Sequence, residues 1–458
     1  MTSAAGLEDV WRECAPHVLG ALVRRYGDFD RAEDAVQDAL LAAANQWPVD
    51  GVPDSPRGWL ITVASRRLID QWRADASRAE RERRVLTAVP DDTFATPAAD
   101  VASASDRDDS LALLVLCCHP TLTRPSQIAL TLRAVAGLTT GQIARSFLIP
   151  EATMAQRISR AKARLRDDGA RFAVPSTAEL PERVAAVSQV LSLIFTEGHT
   201  STVGGELMEV SLADEAIRLT RQLYRTLPSN DEVGGLLALM LVTHARRAAR
   251  CTVDGSLIPL ADQDRSLWDA VMIAEGVRIV EAVLPTGQVG SFQLQAAIAA
   301  VHAEAPTAEA TDWVQIESLY RMLDGVAPGP VVTLNHAVAA AMAYGPESGL
   351  AMVEPLLDDP QLRRHHRLYA VHAHVLELAG RSDEARDAYT TAARLATSIP
   401  EQRHLNECAA RLKPPRPASH RNAGPADPDD GREAVPPDNG LPCRLPECLA
   451  KETVAMIE

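Results

Sequence analysis

From residue 180 to 413 the chain reads as one helical pattern after another, each roughly 12–20 residues long and closed by Gly, Pro or Asp. DEVGGLLALMLVTHARRAAR (231–250), SFQLQAAIAAVHAEA (291–305) and PVVTLNHAVAAAMAYG (330–345) are examples. Aromatic residues make up only 4% of the chain and Ala is abundant, which favours Ala/Leu-packed helices over β-sandwiches. The clearest repeat-like unit is LYAVHAHVLELAGRSDEARDAYTTAARLA (368–396), where Ala373, Gly380, Ala385, Tyr389 and Ala392 fall close to tetratricopeptide spacing. Three clean 34-residue copies are not found, so the unit is a local likeness and not a proven array. One insert, DGSLIPLADQDRSLWD (254–269), reads as a short hairpin or an ordered loop.

Helical patterns also fill 7–47, and DSPRGWLITVASRRLIDQWR (54–73) opens with Ser55 as N-cap and Pro56 at the first helical position. Residues 87–109 are rich in Ala, Asp, Ser, Thr and Pro without periodicity, the composition of a flexible acidic linker. A second compact helical unit follows at 110–172. After 413 the composition shifts, with nine prolines between 414 and 446 and few large apolar residues, so 414–458 reads as a disordered tail. The chain is therefore expected to be all-α. Its units are 1–86, 110–172 and a helical, tetratricopeptide-like 176–413, with 87–109 as the linker.

Seven cysteines without regular spacing do not form a disulfide framework, and Cys443 with Cys448 is too sparse a pair for a metal site. MTSAAGLEDVWREC lacks the basic and apolar regions of a signal peptide, and no run of about 18 apolar residues occurs. These features predict a reduced, cytoplasmic chain with no membrane partner.

The charge is unevenly spread. The whole chain carries −15, yet residues 120–171 hold nine basic and three acidic side chains, a net +6. Binding to DNA responds to charge within a Debye length of about 8–10 Å, so this island can work on an acidic protein. It contains LTTGQIARSFLIPEATMAQRISRAKARLR (138–166): Thr139 or Thr140 caps a short helix through Phe147, LIP breaks it, and Glu151 starts a basic helix to Asp167. That is the pattern of a helix-turn-helix, whose second helix enters the major groove. Thr153, Met154, Gln156 and Arg157 are the candidates for reading bases, followed by Arg160, Lys162 and Arg164 toward the backbone.

In 54–73, Leu60, Ala64, Leu68 and Trp72 form a core stripe, while Trp59, Val63, Arg66 and Arg73 line another face beside Arg67. An aromatic ring among guanidinium groups suits single-stranded DNA, because bases stack on the ring and phosphates pair with arginine. Asp70 is placed to brace Arg66 and Arg73 along the helix. Upstream, DRAEDAVQDALLAAANQW (30–47) puts Glu33, Asp34, Gln37 and Asp38 on one stripe, opposite Val36, Leu40 and Trp47.

In that order these segments resemble the extracytoplasmic-function sigma factors of bacterial RNA polymerase. DRAEDAVQDALLAA looks like their polymerase-docking helix in sigma region 2, SPRGWLITVASRRLIDQWR like the segment that melts and reads the −10 element, and 138–166 like sigma region 4, which reads the −35 element. Arg66 stands where many relatives carry Asn, and Ala152 where the recognition helix commonly starts with Gly. The remainder resembles the subgroup with a long helical C-terminal extension, through LCCHPTLTRPSQIALTLRAVAGLTT, LIFTEGHTST, LADQDRSLWD and VVTLNHAVAAA, with His336 in place of an expected Arg. The resemblance implies two partners, core RNA polymerase through its clamp and flap regions and promoter DNA, and it leaves the extension free for a regulatory protein. It assigns Glu33, Asp34, Gln37 and Asp38 to polymerase, Trp59, Arg66, Arg67 and Arg73 to the −10 element, and the seven residues of the basic helix to the −35 element. It implies no catalysis and no cofactor.

The two promoter elements lie about 50 Å apart, one and a half turns of about 34 Å each. A 23-residue linker can reach about 75 Å but would average only about 25–30 Å as a free coil, so a rigid scaffold must hold the units apart. Rival readings are a helix-turn-helix regulator acting without polymerase and a helical-repeat scaffold. The first does not need the Trp59/Arg66 helix and the second leaves 1–172 without a purpose. Around the histidines of the extension (His199, His244, His302, His336, His365, His366, His372, His374) carboxylate partners at ligand spacing are sparse, so they read as packed or solvated.

Overall fold

The computed structural model describes residues 4–84, 109–147, 149–170, 172–173, 175–199, 210–252, 256–287, 289–360 and 362–412. The expected linker, apart from Asp109, and the Pro-rich tail with Cys443 and Cys448 lie outside the described residues. The described elements are helices, joined by turns and by a single antiparallel bridge between Cys251 and Leu257. The all-α expectation holds. Contacts divide the chain into two units, 1–194 and 195–458.

The first unit begins with α1 (Ala4–Tyr26), α2 (Phe29–Asp50) and α3 (Pro56–Arg84). They bury Leu19, Leu22, Val36, Leu60 and Leu68 between them. Asp28 caps α2 by accepting from the Arg31 N–H at 3.1 Å. The chain reverses at Gly27 and Gly51, whose φ angles of 73° and 87° lie in the left-handed region that glycine enters at little cost. α3 runs past Arg73 to Arg84, longer than the expected stretch. Its stripe of Leu60, Ala64 and Leu68 is fully buried, and Trp72 sets its ring edge-on to Tyr26 at 5.4 Å.

Four shorter helices follow: α4 (Ser110–Cys117), α5 (Arg124–Ala134), α6 (Thr140–Ser146) and α7 (Glu151–Asp167). Of the two candidate caps, Thr139 is the one used. Its hydroxyl accepts from the Gln142 N–H at 3.1 Å and the Gln142 side chain accepts from the Thr139 N–H at 2.8 Å, a reciprocal capping box. Cys117 and Cys118 are buried packing residues, and burial pushes the Cys118 thiol up to about 12.

The division between units falls inside α8 (Leu180–His199), and not at 172–176 where the composition placed it. The cause is polar pairing across the short helices. Arg183 donates to the Val115 carbonyl at 3.0 Å, and Arg124 hydrogen-bonds Gln189, so the first turns of α8 complete the first unit.

The second unit stacks α9 (Val210–Thr226), α10 (Asp231–His244), α11 (Ala270–Val283), α12 (Ser291–Glu304), α13 (Trp313–Val326), α14 (Pro330–Tyr344), α15 (Pro346–Val353), α16 (His366–Leu378), α17 (Ser382–Leu395) and α18 (Ile399–Arg411). α10 meets α12 at Gly235, where a Cβ would come within 2.6 Å of the Gln293 backbone nitrogen. Glu232 then caps α12, accepting from the N–H groups of Phe292 and Gln293 at 2.9 and 3.2 Å. α16 and α17 form the helical hairpin read at 368–396: it turns at Gly380 (φ 73°), and Ala373, Ala385, Tyr389 and Ala392 are fully buried. Tyr389 donates to the Glu377 carboxylate at 2.8 Å. Of the insert, 256–269 are described: Leu257 makes an antiparallel bridge to Cys251, short turns follow, and Trp268 is flanked by the guanidinium groups of Arg265 and Arg246 at 4.4 and 5.9 Å.

Candidate nucleic-acid interface

α7 packs through Met154, Ile158, Ala161 and Leu165, a stripe at i, i+4, i+7 and i+11 against α5 and α6. With 3.6 residues per turn, the face turned away from that stripe carries Thr153, Gln156, Arg157, Arg160 and Arg164. All are exposed except Arg157, which is half-buried. This is a row of one hydroxyl, one amide and three guanidinium groups on a helix whose N-terminus follows a break. It can present bidentate donors to base edges and charge to phosphates.

Two residues leave the expected set. Met154, expected to read bases, is 1% exposed and belongs to the packing stripe. Lys162, expected at a phosphate, is 8% exposed and lies on the side of α7 opposite Arg160 and Arg164. Its Nζ sits 2.6 Å from Glu33 Oε2, 3.1 Å from Asp30 Oδ1 and 3.4 Å from Asp34 Oδ1, all on α2. Around it, Arg133 of α5 pairs with Glu33 at 2.8 Å and Arg166 with Asp30 at 3.0 Å. Arg24 of α1 pairs with Asp109 beside the start of α4. Three cations thus meet three carboxylates of α2, which offsets the cost of burying the ammonium. Burial alone would lower the Lys162 pKa, but Glu33, Asp34 and Asp30 outweigh it and hold it above the ordinary lysine value. The Asp34 carboxyl is raised, first by burial and then by its neighbours Glu33 and Asp30, against the pull of Lys162.

The acidic stripe of α2 is therefore divided. Glu33 is 3% exposed and taken up by Lys162 and Arg133, so in this conformation it is not open to a partner as expected. Asp34 is exposed, and Gln37 and Asp38 are half-buried. The pairing of Lys162, Arg133 and Arg166 with α2 was missed in the sequence, because residues 100 to 136 apart share no local pattern. One signal was present: Lys162 is one of only three lysines in the chain, and it stands half a turn away from the arginine row.

On α3, Arg66, Arg67 and Arg73 are exposed, and Arg73 lies 4.0 Å from Asp70. Trp59 is half-buried. Its ring meets the buried Trp47 edge-on at 5.5 Å, and Trp47 in turn contacts Trp11 at 6.3 Å. Trp59 is thus held half-buried by its indole neighbours, and helical spacing puts it on the same face of α3 as Arg66 and Arg73.

The histidines of the second unit are held locally. His244 pairs with Asp214 at 2.9 Å, His336 with Glu317 at 3.2 Å and His366 with Glu401 at 3.5 Å. Burial, with Arg246 and Arg265 nearby, lowers His302 to about 3. Among the described residues no group of His, Cys, Asp and Glu is arranged to hold a metal ion, and no helix is long and apolar enough to cross a membrane.

Comparison with known proteins partitions the chain along the same lines. The model of sigma-70 region 2 matches residues 10–78, that of sigma-70 region 4 matches 112–165, and a family of unknown function (DUF6596) matches 183–284. An uncharacterized protein of Rhizobium meliloti is 40% identical over 405 residues, 88% of this chain and 95% of that relative. A probable ECF RNA polymerase sigma factor, SigI, of Mycobacterium tuberculosis is 29% identical over 157 residues, 34% of this chain and 53% of that protein. The ECF RNA polymerase sigma factor SigK of Mycobacterium ulcerans is 28% identical over 151 residues, 33% of this chain and 74% of that protein. No solved structure matches the chain.

Proposed function

The chain belongs to the extracytoplasmic-function sigma factors with a long C-terminal extension, and from that premise we propose that it docks on core RNA polymerase and directs the enzyme to promoters. The acidic stripe of α2 is the docking face, the Trp59/Arg66/Arg67/Arg73 face of α3 reads and captures the −10 strand, and the exposed row of α7 reads the −35 element. The observation that carries this reading is the pairing, on one chain, of an exposed arginine row on a capped helix-turn-helix with a Trp47-braced indole that shares a face of α3 with Arg66 and Arg73. Neither half needs a covalent step by this protein. Duplex recognition positions the enzyme and stacking holds the opened base. Each half is a weak DNA binder alone, and polymerase supplies the scaffold that turns them into one site of high effective concentration.

The test is reconstitution with promoter DNA. The protein alone leaves the DNA unshifted at physiological salt, and the protein with core enzyme shifts it and supports specific transcripts. Equal binding without core enzyme would favour a helix-turn-helix regulator that works unaided.

The tetratricopeptide-like extension, in this reading, regulates the sigma units in cis, and residues 172–458 carry most of the acidity of the chain, a net −14. Removing 200–458, which keeps α8 with the first unit, changes transcription from a selected promoter several-fold. Output equal to that of the full chain would remove the extension from regulation.

A further inference from the structure

We propose that Cys408 of α18 and a cysteine of the C-terminal segment, Cys443 or Cys448, form an oxidation-dependent disulfide that fastens that segment to the last helix of the extension.

Cys408 is disulfide-bonded, whereas Cys14, Cys117, Cys118 and Cys251 are free. The chain holds seven cysteines, so Cys443 and Cys448 remain as partners within the same chain. The bond departs from the reduced chain that the number and spacing of the cysteines predict. Cys408 is 0% exposed, packed with Leu405 and Ala409 in the core that holds Tyr389 and Ala392, and a sulfur so enclosed does not bond to a second molecule. It lies one turn before α18 ends at Arg411, where the chain leaves the last helix. The return path of about 30 residues is long enough to fold back on that helix, at a closure cost that rises only with the logarithm of its length.

The neighbour of the sulfur suits the chemistry. His404, one turn earlier on α18, has its Nε2 3.6 Å from Cys408 Sγ. Burial, and then Arg411, hold this imidazole below its ordinary value against the pull of Asp262 and Glu401, so it is neutral near pH 7 and can take the thiol proton. That favours the thiolate, which is the reacting form. With hydrogen peroxide as oxidant, one thiolate attacks an oxygen, the O–O bond breaks, hydroxide leaves and a sulfenic acid remains. The second thiolate attacks that sulfur, the S–O bond breaks and the S–S bond forms. The two thiol protons end on the two hydroxides, so two thiols and one peroxide give one disulfide and two waters. On the polymerase reading the chain works where thiols are kept reduced, and a protein disulfide there marks a response to oxidation. The test needs no polymerase, so its failure is distinct from the failure of that reading.

Trypsin gives each cysteine its own peptide, since Arg403 and Arg411 bound Cys408 while Arg432, Arg444 and Lys451 separate Cys443 from Cys448. Full-length protein is treated with hydrogen peroxide or with dithiothreitol, its remaining thiols are alkylated, and the peptides are mapped by mass spectrometry without reduction. Peptide 404–411 is found joined to 433–444 or to 445–451 after peroxide, and unjoined after dithiothreitol. In parallel, the oxidised parent unfolds roughly 5–10 °C above the reduced parent, because the tie restricts the unfolded chain. The Cys443→Ser/Cys448→Ser double variant, which leaves the core around Cys408 intact, loses that difference and unfolds like the reduced parent. Cys408 fully alkylated after peroxide, or Cys443 joined to Cys448, overturns the bond. So does one zinc ion per chain that shields these thiols from the alkylating reagent. A joined peptide that survives dithiothreitol on the folded protein overturns the response to oxidation. A joined peptide without a rise in unfolding temperature overturns the fastening.

Discussion

Replacing Arg157 and Arg160 together by Ala is expected to reduce promoter-directed transcription by about a hundredfold or more, with the fold intact. Both side chains stand on the outward row of α7, and neither takes part in the packing through Met154, Ile158, Ala161 and Leu165. A bidentate arginine–base contact is worth about 1–3 kcal/mol, a factor of roughly 5 to 150, and a phosphate contact adds a salt-dependent share. The two losses differ in kind. Arg157→Ala relaxes preference at one base position of the −35 element, whereas Arg160→Ala weakens all sequences alike and lowers the salt slope by about one. Competition binding of the polymerase complex to promoter variants, at two salt concentrations, separates them. A double variant with unchanged transcription would place recognition elsewhere.

The second large effect is expected at Trp59. Its ring is held edge-on by Trp47 and shares a helix face with Arg66 and Arg73, so on the proposed reading its removal takes away the stacking platform and leaves the −35 row untouched. Stacking of one base on an aromatic ring is worth about 1–3 kcal/mol. Trp59→Ala should therefore lower open-complex formation by one to two orders of magnitude on duplex promoters, while Trp59→Phe retains a substantial part. The signature of strand capture is rescue: a promoter with a pre-opened −10 bubble restores transcription by Trp59→Ala almost to that of the parent. If the bubble gives no rescue, Trp59 acts through core packing with Trp47 and not through DNA.

The extent to which these features could be read in advance follows from the range of the interactions behind them. The helix-turn-helix was legible because its determinants are local. Thr139 and Gln142 close the capping box within four residues, and the α7 packing stripe repeats at helical spacing. Met154 could have been placed by that same spacing, since it falls four residues before Ile158 and seven before Ala161. Residue type alone points instead to a base contact. The hairpin at 368–396 was legible for the same reason, with small residues and Tyr389 at the positions that its helices bury.

Lys162 was not legible. Its partners on α2 are 128 and 129 residues away at Asp34 and Glu33, and an isolated basic helix gives lysine and arginine the same expectation. The end of the first unit was hidden for a similar reason. Composition changes near residue 172, yet Arg183 and Gln189 tie the first turns of α8 to Val115 and Arg124.

On the proposed reading, this chain selects promoters only as part of polymerase. The most direct measurement is run-off transcription from a selected promoter, with purified core enzyme and full-length protein present separately and together. A transcript with a single start site is expected only when both are present, with no stable complex between promoter and protein alone. Transcription by core enzyme that is indifferent to the protein, or tight promoter binding without core enzyme, would contradict it.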